Sequence, residues 1–175
     1  MIDSQLALPF QETSYDIIID IFNVLEKKFG LLSNSKQRFV DLGSGNGQII
    51  LYSALHYSIS STGFEIDKNL IEETKTRIDS LRKEKSIKSK RLKHIQVKNK
   101  DFFTISLKDY DYVYIYSLPT MQRFLTHLFQ TAKNGAVIIS HKYPLKGFRS
   151  ILELFHTLDS HNEKETIHTY FYHRV

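Results

Sequence analysis

The strongest constraint on the fold is a regular alternation between helix-like and strand-like spacing of apolar residues. Residues 38–42 form a short β-branched and aromatic run that stops at glycine, and residues 48–57 return to a helical spacing. The same alternation of a strand pattern and a helix pattern repeats further along the chain. Strands that alternate with helices pair in parallel, and the helices cover both faces of the sheet. We therefore predict an α/β fold with a mostly parallel sheet.

The periodicity and the residues that interrupt it set the element boundaries. Gly30 closes the first helix, because glycine readily adopts the left-handed conformation of a helix end. Residues 148–158 fit a helix or a helix that runs into a strand, and the β-rich residues 166–175 close an antiparallel hairpin. The remaining predicted elements are helices at 14–29, 48–57, 70–81 and 120–132, and strands at 38–42, 61–66, 92–97, 112–116 and 136–141.

Composition narrows the class of protein. The 175 residues are 41% hydrophobic and 25% charged, which fits one domain that spans residues 1–175. The absence of cysteine excludes a disulfide scaffold, a cysteine-ligated zinc site and a thiol nucleophile. No apolar run approaches the roughly 20 residues of a membrane helix, and the N-terminus lacks a basic signal-peptide region. We therefore expect a cytoplasmic protein with no membrane partner.

The loop with Gly43, Gly45 and Gly47 lies between a predicted strand and a predicted helix. Such a turn lets the backbone approach a ligand and directs free helix N–H groups toward it. A dinucleotide fingerprint needs its third glycine at position 48, where Gln48 stands. Asp41 ends the strand, and a carboxylate there repels a pyrophosphate but suits a cationic ligand. The alternatives are a tight turn without a ligand and, more distantly, a nicotinamide dehydrogenase.

A second acidic segment ends the next predicted strand. Glu65 follows Gly47 by 18 residues, and a carboxylate at this place can accept both hydroxyls of a ribose. The structural alternative is a helix N-cap, a role that fits Asp67 better because it directly precedes the helix start at Lys68. We assign Glu65 to a ribose and Asp67 to capping.

The strand, the acid and the three glycines resemble motif I of the class I methyltransferases, whose cofactor S-adenosylmethionine carries a sulfonium and an α-amino group. The resemblance implies a Rossmann-like, seven-stranded, mostly parallel sheet with an antiparallel C-terminal hairpin. It implies that S-adenosylmethionine is the cofactor and S-adenosylhomocysteine the product. The cofactor contacts that it implies in the loop and second strand are Asp41, Gly43, Ser44, Gly45, Gly47, Gln48 and Glu65.

The loop after the third predicted strand usually cradles the adenine in this class. By that resemblance, Asp101 would accept a hydrogen bond from the exocyclic amine and Phe102 would pack on the ring. The structural alternative is a surface turn that buries a phenylalanine.

The N-terminal arm, residues 10–16, resembles the E-T-S-[FY]-D segment of the non-SET histone-lysine methyltransferases. Their motif I reads D-L-G-S-G-x-G-Q, as residues 41–48 do, and residues 139–144 are similar to their S-S-K-P-F stretch. Small archaeal protein-lysine methyltransferases are closer in length and share a His-Thr pair in the terminal strand. The resemblance implies that residues 1–30 pack over the cofactor site, with Glu12 and Thr13 at its methionine end. The structural alternative is that Thr13 or Ser14 is a simple helix cap.

One segment departs from the histone-directed enzymes. They carry an Asn-Asn-Phe type sequence after the fourth strand, where residues 114–119 read Y-I-Y-S-L-P. The same segment lacks the [DN]-P-P-[FYW] motif of enzymes that methylate the amino groups of adenine or cytosine. The absence of cysteine also excludes methylation at cytosine C5.

Protein lysine is the acceptor that the resemblance favours. A lysine ammonium must lose a proton before it attacks a methyl group, and an apolar aromatic channel lowers its pKa by desolvation. We predict that Tyr116, Ser117 and Tyr143 line this channel, because they follow strands at the carboxyl edge where open α/β sheets bind ligands. Tyr112 and Tyr114 are expected to pack against a helix.

Residues 82–100 hold nine lysines and arginines and one acid. They form either a solvated helix end and loop or a surface that binds nucleic acid or an acidic protein. Methylation of RNA or a small molecule, or cofactor binding without catalysis, therefore stay as alternatives. The eight histidines show no metal-ligand spacing, so we predict no metal, and we expect a monomer.

Overall fold

The structure is a computed structural model that describes residues 11–84, 86–161 and 165–175. A π-helical turn at Ser53–Tyr57 continues the second helix, and 3₁₀ turns occupy Leu92–His94 and Phe102–Thr104. The helices and strands are, in chain order, α1 (Tyr15–Phe29), β1 (Arg38–Leu42), α2 (Gln48–Tyr52), β2 (Ser60–Glu65), α3 (Lys68–Lys83), α4 (Ile87–Arg91), β3 (Ile95–Asn99), β4 (Tyr112–Ile115), α5 (Pro119–Gln122), α6 (Thr126–Gln130), β5 (Val137–His141), β6 (Leu152–His161) and β7 (Thr166–Arg174).

Seven strands of the described chain form one sheet in the order β3-β2-β1-β4-β5-β7-β6. The pairs from β3 to β5 are parallel, and β7 pairs antiparallel with both β5 and β6. This arrangement confirms the predicted mostly parallel sheet with an antiparallel C-terminal hairpin. The strand order reverses between β1 and β4, so the crevice at the carboxyl ends of these two strands is where such sheets bind ligands.

Three predicted elements differ from the structure. The strand predicted at 92–97 begins only at Ile95, after the 3₁₀ turn at Leu92–His94. The helix expected at 120–132 is two short helices, α5 and α6, joined by 3₁₀-type hydrogen bonds from Phe124 to Met121 and from Leu125 to Gln122. Residues 148–158, for which a helix was the first alternative, form a turn and then the long edge strand β6. A β-bulge between Leu154 and His156 breaks the alternation that would have indicated this strand.

The apolar core lies on both faces of the sheet, because successive side chains along each strand point to opposite faces. On one face, Phe39, Tyr112 and Ile139 pack against α1, which buries Ile18, Ile21, Phe22 and Leu25. On the other, Val40, Val113 and Ile138 pack against α6, which buries Leu128 and Phe129. Helix α1 therefore covers the face on which its N-terminal arm reaches the ends of β4 and β5.

The C-terminus of α1 is fixed to the sheet by a polar contact inside this packing. Gly30 ends the helix in the left-handed conformation, as predicted (φ 68°). The Tyr112 hydroxyl donates to the carbonyl of Phe29 at 3.0 Å and accepts from Nε2 of Gln37 at 3.0 Å. Burial raises the pKa of Tyr112 to about 12, so this hydroxyl keeps its proton at physiological pH.

We expect Tyr112→Phe to lower the free energy of unfolding by about 1–2 kcal/mol, because it leaves a helix-terminal carbonyl and an amide donor without their partner. Urea denaturation would measure the change. Tyr170→Phe is the matched control on β7, and it should change stability by less than about 0.5 kcal/mol. Equal losses in both variants would show that the Tyr112 hydroxyl does not anchor α1.

Candidate functional site

The glycine loop lies between β1 and α2, at the edge where the strand order reverses. Gly47 has φ 77°, a conformation that residues with a side chain rarely adopt. A Cβ at this position would also lie 2.4 Å from Cγ2 of Thr74 on α3. The Thr74 hydroxyl donates to the carbonyl of Gly45 at 3.2 Å, so α3 holds the loop in place.

Glu65 lies at the end of β2, next to this loop. It is the residue that the sequence analysis assigned to a ribose. Its Oε2 accepts from the backbone N–H of Gly45 at 2.9 Å, and its Oε1 accepts from the N–H groups of Ile66 and Asp67. The half-buried carboxylate therefore ties the end of β2 to the loop. Asp67 caps α3 as predicted, because its Oδ1 accepts from Asn69 at 2.8 Å.

Asp41 is buried in the crevice below the loop, with 3% of its surface exposed. Within the described chain, no hydrogen bond reaches its carboxylate. Burial, and then the nearby charge of Glu65, raise the pKa of Asp41 to about 8. A buried carboxylate without a donor is costly, and a cationic ligand group would relieve that cost.

One hydroxyl at the same edge is a further polar atom without a partner. Ser117 Oγ, after β4, is buried and has no hydrogen-bond partner among the described residues. Ser44 Oγ in the loop is also unpaired, but it packs over Gly63 on β2, where a Cβ would lie 2.4 Å from it. Buried polar groups of folded proteins are normally paired, so an unpaired one in a crevice indicates a polar ligand. Asp41, the Ser117 hydroxyl and the glycine loop fit a ligand with an amino group and further polar atoms, such as S-adenosylmethionine.

Asp101 and Phe102 follow β3 beside the loop. Phe102 lies 3.9 Å from the position that a Cβ of Gly43 would occupy, so its ring flanks the crevice. The Asp101 carboxylate accepts from the N–H of Phe103 at 2.9 Å and caps the 3₁₀ turn. The structure thus brings Phe102 to the glycine loop, whereas the Asp101 contact is the one expected of a surface turn.

The N-terminal arm contacts the same loop from the side of α1. Asn46 Nδ2 donates to Oε1 of Glu12 at 3.0 Å. The hydrogen-bond pattern places the amide nitrogen of Gln48 toward Glu12 Oε1 (2.8 Å) and the carbonyl of Thr13 (3.2 Å). Thr13 Oγ1 lies 3.0 Å from the hydroxyl of buried Tyr114, and Ser14 forms no side-chain cap. The arm is therefore joined to the loop and to β4, while residues 1–10 lie outside the described residues.

A cavity of about 180 Å³ opens beneath this arm, at the carboxyl ends of β4 and β5. Tyr116 lines it, and its hydroxyl donates to Oε1 of Gln11 at 2.6 Å. The other two residues predicted to line it, Ser117 and Tyr143, are not among the lining residues, although the Tyr143 ring stacks on Tyr116 with centroids 6.1 Å apart. The other lining residues are Gln11, Glu12, Thr13, Ser14, Ile17, His141, Lys142, Glu165 and Ile167.

Sequence reasoning missed His141, Lys142 and Glu165 in this cavity. His141 and Lys142 follow β5 at the same edge as Tyr116, which is a signal that could have identified them. Lys142 Nζ donates to Oε1 of Glu165 at 3.0 Å, and this hydrogen bond raises the pKa of Lys142. Glu165 precedes β7 in an exposed segment, and no local pattern indicated it.

The basic stretch 82–100 lies along the β3 edge, away from this cavity. Arg82 donates to the carbonyls of Leu92 and Ile95, and Arg91 donates to that of Leu55, so both arginines of the stretch are structural. No group of metal-binding side chains occurs within residues 11–84, 86–161 and 165–175. In the same ranges, no helix is long and apolar enough to cross a membrane.

The fold and this site define a class I methyltransferase: a seven-stranded sheet with the C-terminal hairpin, and a glycine loop flanked by Asp41 and Glu65. The chain belongs to the ANTKMT methyltransferase domain family, which matches residues 41–151. It is therefore an S-adenosylmethionine-dependent methyltransferase.

Other known proteins resemble the chain more distantly. The ATP synthase C-subunit lysine N-methyltransferase of Caenorhabditis elegans is 22% identical over 141 residues, which cover 81% of this chain and 70% of that protein. An RNA methyltransferase from Salinibacter ruber, solved with S-adenosylhomocysteine, has a TM-score of 0.72 at 18% identity and covers 92% of this chain and 93% of that one. Magnesium protoporphyrin IX methyltransferase from Synechocystis PCC 6803, solved with S-adenosylmethionine, has a TM-score of 0.69 at 12% identity, with coverages of 95% and 87%.

Proposed function

We propose that this methyltransferase acts on lysine side chains of proteins. The observation that carries the proposal is the cavity beneath the N-terminal arm, whose described lining combines the rings of Tyr116 and His141 with two carboxylates and one ammonium. The similarity to a lysine N-methyltransferase of Caenorhabditis elegans supports the same acceptor.

The charges of the cavity favour a cationic acceptor. Glu12 and Glu165 contribute two carboxylates, and Lys142 contributes one ammonium. His141 adds no charge near neutral pH, because burial and the Lys142 charge lower its pKa to about 4. Among the described residues of the lining, the carboxylates thus outnumber the ammonium by one, which favours a lysine ammonium, and the face of the Tyr116 ring adds a cation–π contribution.

The chemistry requires the acceptor nitrogen to lose a proton and to align with the methyl group. When bound, S-adenosylmethionine supplies the methyl group from its sulfonium. We propose that the stacked rings of Tyr116 and Tyr143 exclude water from the acceptor amine, which favours the neutral, nucleophilic form. The hydrogen bond from Tyr116 to Gln11 holds the arm over the cavity and limits the acceptor to a narrow approach.

The cofactor would lie in the crevice that the glycine loop borders. We propose that Asp41 binds its amino group and that Glu65 keeps lone pairs for a ribose hydroxyl beside its backbone contacts. Phe102 would pack on the adenine. Asp101, at the rim, would accept a hydrogen bond from the exocyclic amine of the adenine. Glu12, Thr13 and Gln48 join the arm to this loop, so we propose that they cover the methionine end.

Labelling with methyl-labelled S-adenosylmethionine tests the acceptor. The purified protein would be incubated with host lysate and the product divided between protease and nuclease. We expect label that only protease releases, and methyllysine after acid hydrolysis. Label released only by nuclease would favour RNA and the basic stretch 82–100 as its docking surface. Absence of label from both fractions would favour a small-molecule acceptor or a non-catalytic binding module.

We expect Glu165→Gln to raise the KM for the labelled protein substrate about threefold to tenfold, because it removes a carboxylate and leaves the Lys142 ammonium without its opposite charge. The affinity for S-adenosylmethionine should not change. Glu153→Gln, at an exposed position of β6, is the control and should leave KM unaltered. An unchanged KM for Glu165→Gln would argue against a cationic acceptor in this cavity.

A further inference from the structure

His141 is the buried imidazole of the cavity wall, and its ring is held from several sides. Tyr116 contacts it edge to face with centroids 5.6 Å apart, and Tyr114 stacks on it at 6.1 Å. Its Nδ1 lies 3.0 Å from Oγ1 of Thr169, which is directly opposite on β7 and fully buried. Because Thr169 occupies Nδ1, Nε2 is the ring nitrogen left for a ligand in the cavity.

The hydrogen bond to Thr169 decides what Nε2 can do. A neutral imidazole has one N–H and one bare nitrogen, and the partner of one nitrogen sets the state of the other. If Nδ1–H donates to the threonine oxygen, then Nε2 is a bare acceptor. If the threonine hydroxyl donates to Nδ1, then Nε2 carries the proton and cannot accept. The lone pair of the amine must stay free to attack the methyl group, so the amine can only donate to the imidazole, and only the first arrangement serves it.

We infer that Nε2 of His141, set as an acceptor by Thr169, accepts a hydrogen bond from the amine that is methylated and so orients its lone pair. This inference rests on the proposed function, since the amine is that of a lysine. His141 is then a catalytic residue that contacts the substrate, and Thr169 is a positioning residue that acts through it. Thr169, the threonine of the His-Thr pair in the terminal strand, thereby acquires a role that sequence reasoning had left open.

The charges around the ring agree with this assignment. Burial, and then the charge of Lys142 next in the chain, lower the pKa of the imidazole and keep it neutral. The other titratable side chains that line or border the cavity are Glu12, Glu165, Tyr114, Tyr116 and Tyr143. A neutral ring does not repel the ammonium that enters, whereas a charged one would oppose it.

The first experiment measures the tautomer by two-bond ¹⁵N–¹H correlation NMR of the histidine rings, with His141→Gln to assign the signal. We expect a protonated Nδ1 and a bare Nε2 in the cofactor-bound wild type and in Thr169→Ser. Thr169→Val removes the acceptor, so the proton should move to Nε2. A wild-type ring with the proton on Nε2 would overturn the inference without any reference to substrate.

The second experiment measures methyl transfer from labelled S-adenosylmethionine to the protein fraction of the host lysate. We expect Thr169→Val to lower kcat about tenfold or more at an unchanged affinity for S-adenosylmethionine, and Thr169→Ser to recover most of the loss. Thr157→Val, on exposed β6, is the matched control and should retain the wild-type rate. Wild-type transfer that Thr169→Val leaves intact would overturn this inference alone. Failure of the wild type to label protein would instead overturn the proposed function.

Discussion

Replacing Asp41 with asparagine should weaken the binding of S-adenosylmethionine about a hundredfold and make the cofactor-free protein more stable. The affinity falls because the neutral amide loses a charge-assisted hydrogen bond of about 2–3 kcal/mol to the cofactor amino group. The stability rises because the wild-type carboxylate is buried without a donor among the described residues. A gain of about 1–3 kcal/mol is expected from removing this buried acid.

The pH dependence gives this prediction a definite sign. The pKa of Asp41 is about 8 in the folded chain and near 3.8 in the unfolded chain. The contribution of Asp41 to stability is therefore fully present below pH 3.8 and is lost as the pH rises through 8. Between pH 7 and 9 the wild type should lose about 1.4 kcal/mol that Asp41→Asn retains. His141, with its pKa lowered to about 4, is neutral throughout this window.

Cofactor binding should show the opposite trend. Ionised Asp41 binds the cation and protonated Asp41 does not, so raising the pH from 6 to 7, where the cofactor amino group stays protonated, should strengthen wild-type affinity about tenfold. Isothermal titration calorimetry would measure this, and guanidinium denaturation would follow stability between pH 7 and 9. Asp109→Asn, at an exposed position, is the control and should keep both pH slopes. Equal slopes in wild type and Asp41→Asn would refute the assigned role of Asp41.

Replacing Gly47 with alanine should lower the free energy of unfolding by about 3 kcal/mol and abolish measurable cofactor binding. Part of the loss, about 1–2 kcal/mol, comes from forcing a side chain into the left-handed region at φ 77°. A further 1–3 kcal/mol or so comes from the contact of the new Cβ with Thr74, which lies 2.4 Å away at Cγ2. Because Thr74 also binds the carbonyl of Gly45, the displacement would reach the rest of the loop.

Two further variants separate these causes. Gly135→Ala has a similar φ of 81° with nothing within 4 Å of its new Cβ, so it should cost only the conformational part. In the Gly47→Ala background, Thr74→Ser removes the closest methyl group and keeps the hydroxyl, so it should recover about 1 kcal/mol. Denaturation curves would measure all four proteins. Equal losses for Gly47→Ala and Gly135→Ala would show that Thr74 does not constrain the loop.

The sequence sufficed where the determinants are local. Strand β4 reads as a continuous run of apolar and aromatic residues because both of its faces are buried. Helix periodicity marks the helices, Gly30 marks the end of α1 by its left-handed backbone, and Asp67 marks the start of α3 by its capping side chain. The glycine loop was recognisable because a ligand-binding turn requires closely spaced glycines next to an acid. The single-domain organisation, the cytoplasmic location, the monomeric state and the individual cofactor contacts stay predictions.

The secondary structure of some segments depends on contacts with residues far away in the chain, so only the tertiary structure shows it. Residues 120–132 divide into two helices, and the side chain of Gln122 donates to Pro144 and accepts from Lys146 in the loop after β5. Strand β6 forms at the sheet edge, where little of its surface is buried and a bulge disrupts the period, so its pairing with β7 defines it.

The same holds for the cavity and its chemistry. His141 meets Thr169 across an antiparallel pair, and Lys142 meets Glu165 across 23 residues of chain, so no local spacing could join them. The pKa values of Asp41 and His141 depend on burial, which only the packed chain provides. The sequence by itself therefore determined the class of fold and the cofactor loop, because both are encoded in local patterns. The acceptor cavity was decided by tertiary contacts, because its walls come from the arm, β4, β5 and β7 together.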